Sequence, residues 1–262
     1  MTACRVWMCV LAMIVHVSVI SAASADVWFD DGGHHAVDYA VPAGQAIRCG
    51  NGPGGPTTLE YAEGASVTES VVYVLGTSRA QVTGGRIEWV LGTYDDSHAD
   101  MSGGDVNTVH ARDSSTIDIA GGWVRWYLSA TDYGEVTMTG GTLDGSVEVY
   151  HNGIATLMGG TIVDHGDSDY LWAGDNGKIY VHGTFNYDPG PIQDMNGQLV
   201  GTLQGGCPLD IEFKRFEDTA QIIIAEPSTT SPRTPACGMG TVAFLPMMVA
   251  ALSLMGLWTR HR

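Results

Sequence analysis

The chain has 262 residues, 35 of them glycine, and it sets 29 Asp+Glu against 12 Lys+Arg for a formal charge of −17. That length suits one elongated domain with targeting segments at its ends. All the acids lie between Asp26 and Glu226, while Arg5, Arg233, Arg260 and Arg262 lie outside, so the middle is more acidic than the whole. Such a surface repels phosphate backbones and anionic bilayers, which argues against nucleic acid as a partner and suits divalent cations and a soluble life outside the cell.

Residues 1–25 read as a secretory signal peptide. Arg5 supplies the positive start, Val6 to Ile20 is mostly apolar, and Ala23-Ser24-Ala25 meets the small-x-small rule. Cleavage is expected after Ala25, with Ala23 and Ala25 as the recognition residues. The apolar run is shorter than the roughly 20 residues of a membrane span. Cys4 and Cys9 leave with this peptide, and Asp26 rather than Cys follows the cut, which argues against a lipoprotein. Residues 26–70 are expected to cap one end of the domain. His34 and His35 in this stretch have metal-ligand chemistry, but no third ligand is apparent nearby.

Residues 71–184 repeat. Gly-Gly recurs at Gly84-Gly85, Gly103-Gly104, Gly121-Gly122, Gly140-Gly141 and Gly159-Gly160, and a sixth copy ends at Gly183-Thr184 after a short insertion. Four positions before each glycine stand Ala80, Ala99, Ile117, Val136, Ala155 and Ile179; two before it stand Val82, Met101, Ile119, Met138, Leu157 and Val181. The residue between is polar in most copies, and period-two alternation marks a strand with one buried face. A second strand precedes it, with inward pairs Val72/Val74, Leu91/Thr93, Val109/Ala111, Leu128/Ala130, Val147/Val149 and Leu171/Ala173. A third, shorter apolar column follows each glycine pair at Ile87, Val106, Val124, Leu143 and Ile162. Strands this short cannot bury a face alone. Winding the chain stacks each on its equivalent, about 4.8 Å per turn. The expected fold is all-β, a single-stranded parallel β-helix of about six coils, each of 18–23 residues by the glycine spacing. The glycine pairs suit its corners, where a positive φ is needed.

Residues 185–225 are expected to cap the other end. A linker, 226–236, opens with Glu226-Pro227-Ser228-Thr229 and runs through Pro, Ser and Thr. Residues 237–262 form a transmembrane helix and basic tail: Cys237 to Trp258 has no charge and is long enough to cross a bilayer of about 30 Å. Arg260-His261-Arg262 then favours the cytoplasmic side. This order resembles the PEP-CTERM sorting signal, a Pro-Glu-Pro box before a membrane helix and basic cluster; here Ala225 stands in place of the first Pro. The resemblance implies that Glu226, Pro227, Arg260 and Arg262 form the signal and that an exosortase-type enzyme processes it. Asp30-Asp31-Gly32-Gly33-His34-His35, the run Asp113 to Gly122, and Phe185 with Gly201-Thr202-Leu203 are similar to segments of repeat-bearing PEP-CTERM proteins. That similarity implies a cell-surface or extracellular-matrix location among exopolysaccharide producers, and no established activity.

Several residue groups carry candidate chemistry. The corner column Gly76, Asp95, Asp113, Asp132, His151 and Asp175 would stack about 4.8 Å apart and offer calcium several oxygens. Turn preference alone explains the same column. The basic residues Arg48, Arg79, Arg86, Arg112, Arg125, Lys178, Lys214 and Arg215 are scattered, with Arg86 and Arg125 expected on one column. No grouping singles out a catalytic base, so no catalytic, metal or cofactor residue is assigned. Trp89, Trp126 and Trp172 fall near equivalent repeat positions and would either stack on sugar rings or pack as strand neighbours. The insertion, Asp164 to Asp169, places His165 near Asp167 and is the main irregularity. An oxidising exterior would permit a Cys49–Cys207 disulfide, but the two would sit at opposite ends, so two free thiols are expected. The functional expectation is an exported, non-enzymatic structural or adhesion protein of the cell surface or matrix, with extracellular polysaccharide as a partner and the membrane reached through the C-terminal helix. The alternative is a carbohydrate-binding or carbohydrate-cleaving β-helix.

Overall fold

The computed structural model describes residues 25–163 and 170–227. Residues 1–24 of the signal segment, Ala23 among them, the insertion with His165 and Asp167, and the tail with Arg260 and Arg262 lie outside the described residues, as does the segment expected to form a transmembrane helix. Among the described residues there is no helix long and apolar enough to cross a membrane. Among the described residues the protein is all-β, with 24 strands joined in one hydrogen-bonded network.

The alternating strand before each glycine pair forms where the pattern places it. Arg79–Val82, His98–Met101, Thr116–Ile119, Glu135–Met138 and Ile154–Leu157 pair in parallel without register shift, each with its equivalent in the next repeat. Ile119 therefore lies between Met101 and Met138, and all three are buried. Burying side chains of this size contributes about 1.5–3 kcal/mol each. The strand before the corner stacks likewise: Val72, Leu91, Val109, Leu128, Val147 and Leu171 form one buried column, joined by Val74, Thr93, Ala111, Ala130, Val149 and Ala173.

Each glycine pair does two jobs. Gly122 has φ of 88°, a left-handed conformation that costs an L-residue strain. Gly121 needs space instead, because a Cβ there would fall 2.3 Å from the Ser102 carbonyl oxygen of the preceding repeat. The pair thus permits both the bend and the close stacking.

The third column is not a separate strand throughout. In three repeats it runs on into the following strand, giving Arg86–Thr93, Asp105–Ala111 and Trp123–Ala130. Ile87, Val106 and Val124 face the core, and the strand then passes an irregularity before its next inward residue. The short strand stands alone as Thr142–Asp144 and Thr161–Val163, and before the glycine repeats as Ser66–Val67. The cause is a β-bulge, which bends a strand without ending its pairing.

The parallel ladder extends past the glycine repeats at both ends. His34–Val37 pairs with Thr58–Tyr61, which pairs with Arg79–Val82, in the same register. At the other end Gln221–Ala225 pairs in parallel with Lys178–Phe185. There Asn196–Leu203 turns antiparallel, against both Pro208–Arg215 and the end of Lys178–Phe185. This hairpin breaks the parallel pattern and covers ladder edges that would otherwise be open to pairing.

One cysteine expectation is corrected. Cys49 is free and buried, and burial pushes its thiol up to about 11. Cys207 is disulfide-bonded and not to Cys49, so the two are not a pair of free thiols. Their separation along the ladder keeps them from bonding each other, but it does not keep Cys207 from another partner.

Candidate functional site

The corner between the two main strands is uniform. Gly76, Asp95, Asp113, Asp132, His151 and Asp175 all have φ between 52° and 68°. Asp, Asn and His tolerate this region better than other side chains. Their side chains then bind the neighbouring turn: Asp95 Oδ2 accepts from Gly76 N at 3.0 Å, Asp113 Oδ2 from Asp95 N at 3.3 Å, and Asp175 Oδ2 from His151 N at 3.3 Å. Asp132 receives Arg112 Nε at 3.0 Å, which holds the guanidinium in its charged form. The column is used by the fold, in agreement with turn preference.

The outward face of the strand at His98 holds a group that the sequence pattern did not single out. His98, Asp100 and Asp118 place ligand atoms within 4.8 Å of one another. Register alone brings Asp100 beside Asp118. The imidazole is already engaged, with Nδ1 2.6 Å from Thr116 Oγ1 and Nε2 3.1 Å from Asp100 Oδ2. His34 and His35 point to separate acids: His35 Nε2 lies 2.7 Å from Asp31 Oδ1, and His34 Nε2 lies 3.9 Å from Glu60.

The basic residues do not converge. Arg48 pairs with Asp26 at 2.7 Å and holds its carboxyl below the usual range. Arg86 and Arg125 do not share a column: Arg86 aligns through Asp105 with Trp123, and Arg125 stands two residues further on. Counted from the glycine pairs the two already differ by two positions, Arg86 directly after Gly85 and Arg125 three after Gly122. The tryptophans separate similarly. Trp89 and Trp126 occupy equivalent positions, but Trp172 aligns with Glu148 on the adjoining sheet face.

That face carries a half-buried outward column running Tyr73, Gly92, His110, Ser129, Glu148, Trp172 and Lys214. Burial raises the Glu148 carboxyl and lowers the His110 imidazole. Trp172 stacks on Phe216 with centroids 4.3 Å apart, so it packs as a strand neighbour.

The bulged edge is different. Val106 pairs with Ile87 in the preceding repeat and Val124 in the following one; Thr108 pairs with Val90 and Tyr127. Between these pairs each neighbour has two residues, Glu88-Trp89 and Arg125-Trp126, while the middle repeat has Asn107 alone. The shorter glycine spacing of that repeat is located here. Trp89 is 52% exposed and Trp126 57%, whereas Asn107 between them is only 8% exposed. Trp123 and Tyr127 add further exposed aromatic surface. Arg125 binds Asp105 through two bonds of 2.6 Å and lies 4.2 Å from the Trp123 ring centroid. In the next repeat Gly145 takes the place of Trp126, leaving no side chain over it.

Glu226 and Pro227 follow the last strand as exposed chain, and the Glu226 carbonyl lies 3.3 Å from His182 Nδ1. Ala25 is also exposed, just before the first strand, Val27–Phe29. Comparison with known protein families, characterised proteins and solved structures finds no match to this chain. The fold and this edge define an acidic all-β protein of stacked repeats.

Proposed function

We propose that the protein is an exported, non-enzymatic component of the cell surface or extracellular matrix, built as a parallel β-helix and carrying a PEP-CTERM-like sorting tail. The observation that carries this reading is the use of the repeated polar residues. The corner carboxylates are engaged within the column itself, by backbone amides, by Arg112 and, for Asp132 and Asp175, by the His151 imidazole between them at 3.3 and 3.5 Å. Catalysis needs unlike groups gathered at one point. Support for the β-helix is the unshifted parallel register from His34–Val37 to Gln221–Ala225. Those nine strands would stack over about 40 Å. Support for export is the order of charge, apolar run and Ala23-Ser24-Ala25, and for sorting the exposed Glu226-Pro227 ahead of the uncharged stretch and Arg260 and Arg262. An exosortase-type enzyme is the processing partner, the membrane is met through the C-terminal helix, and nucleic acid is excluded by charge.

The test is expression of the full chain in an exporting bacterial host, followed by fractionation and N-terminal sequencing. A mature chain beginning at Asp26 outside the cytoplasm is expected. Cytoplasmic protein retaining Met1 would remove the basis for the location.

A further inference from the structure

The bulged edge has the features of a binding site, and none of them is required by the fold. A missing residue at Asn107 leaves a notch between two lengthened repeats. Trp89 and Trp126 flank it, both more than half exposed. They are two repeats apart, so their backbones stand on the order of 10 Å from each other. Exposed indoles on a soluble surface are costly to keep wet and mark places of contact. The floor is polar. The Asn107 side chain makes no hydrogen bond among the described residues, although the residue is more than nine-tenths buried. Its polar atoms are not among the sealed, unpartnered ones, so the amide reaches solvent through the notch. Beside it each guanidinium is held by an acid, Arg86 by Glu88 at 3.6 Å and Arg125 by Asp105 at 2.6 Å, with Asp144 acting on Arg125 as well. Both guanidiniums beside the notch are therefore already engaged by acids, on a strongly acidic protein.

We infer that this notch binds a segment of neutral polysaccharide. The carbon–hydrogen faces of two sugar rings would lie on Trp89 and Trp126, and the hydroxyls between them would meet the Asn107 carboxamide. A ring with an apolar face and a polar rim matches aromatic walls around one amide. The distance between the indoles suits linked rings rather than a single small solute. An anionic polymer is repelled by the surrounding acids, and the two guanidiniums that would attract it are already paired. Gly145 leaves the approach to Trp126 open, so a chain can run along the edge. The inference deepens the surface-display reading but does not need its non-catalytic part.

The experiment is affinity electrophoresis of the full-length protein through gels containing hydroxyethyl cellulose, mannan, dextran or alginate. Retardation by at least one of the three neutral polymers is expected. Trp89→Ala and Trp126→Ala should each weaken it roughly tenfold, equivalent to about 1.4 kcal/mol. Trp126→Phe should keep most of the binding, and Trp28→Ala, exposed elsewhere, should keep all of it. No retardation in any neutral gel, retardation by alginate alone, or alanine variants that migrate as the parent does would overturn the proposal. Self-association of the parent that Trp126→Ala abolishes, without sugar binding, would assign the notch to a second copy and overturn it equally. New reducing ends in the retarding polymer would overturn the non-catalytic reading while leaving the site in place.

Discussion

Two places in each repeat, the aspartate corner and the bulged edge, behave in opposite ways. At the aspartate corner the same backbone conformation recurs from Gly76 to Asp175, and the carboxylates bind the turn beneath. At the bulged edge nothing recurs strictly. It holds Trp89, then Asn107, then Trp126, then Gly145. The corner is constrained because each turn serves as the hydrogen-bonding template for the next. The bulge is free to vary because an extra residue there points outward without disturbing the inward columns. Regular chemistry in this protein belongs to the fold, and the irregular edge is where surface contacts can change.

The largest effect expected lies in neither place but in the column between them. Ile119→Asp puts a charge between Met101 and Met138 in a position 2% exposed. Several kcal/mol should be lost, seen as a large fall in Tm by circular dichroism. A smaller fall is expected from Asp113→Val, about 1–2 kcal/mol, because a branched side chain resists the φ of 57° there. Asp113→Asn keeps a side chain that tolerates this region and should stay within about 0.5 kcal/mol. Equal losses for Asp113→Asn and Ile119→Asp would mean that the corner is not merely a turn.

The smallest effect concerns Glu148, on the face between corner and bulge. Burial raises its carboxyl pKa in the folded protein. The stability tied to this group is thus fully present below the unfolded value and is lost as pH rises through the higher folded one. Glu148→Gln should leave Tm nearly unchanged at pH 4 and raise it slightly at pH 7. A parent and variant whose Tm values run parallel across that range would show that Glu148 ionises without penalty.

Much of the architecture was legible in the residues. Period-two alternation located the strands at Ile117/Ile119 and Leu128/Ala130, because an alternating face must find a partner and an equivalent strand stood one repeat away. The glycine pairs marked one corner, and Asp, Asn and His marked the other, since few side chains accept the left-handed region. The joining of the third column to the next strand was not legible, and neither was the extension of the ladder through His34–Val37. Both depend on which residues stack, not on local preference. The repeat alignment does put Asp100 beside Asp118; what it did not single out is His98, whose Nε2 lies 3.1 Å from Asp100 Oδ2 on the same strand.

The sequence by itself determined that the chain is all-β, repeated and acidic, because composition, alternation and glycine spacing are local properties that every copy states again. Only the tertiary structure decided where the odd residue of the short repeat falls. Spacing says that a residue is missing, but the inward columns at Val106 and Val109 must stay in step with their neighbours, and that requirement places the gap at Asn107, between Trp89 and Trp126.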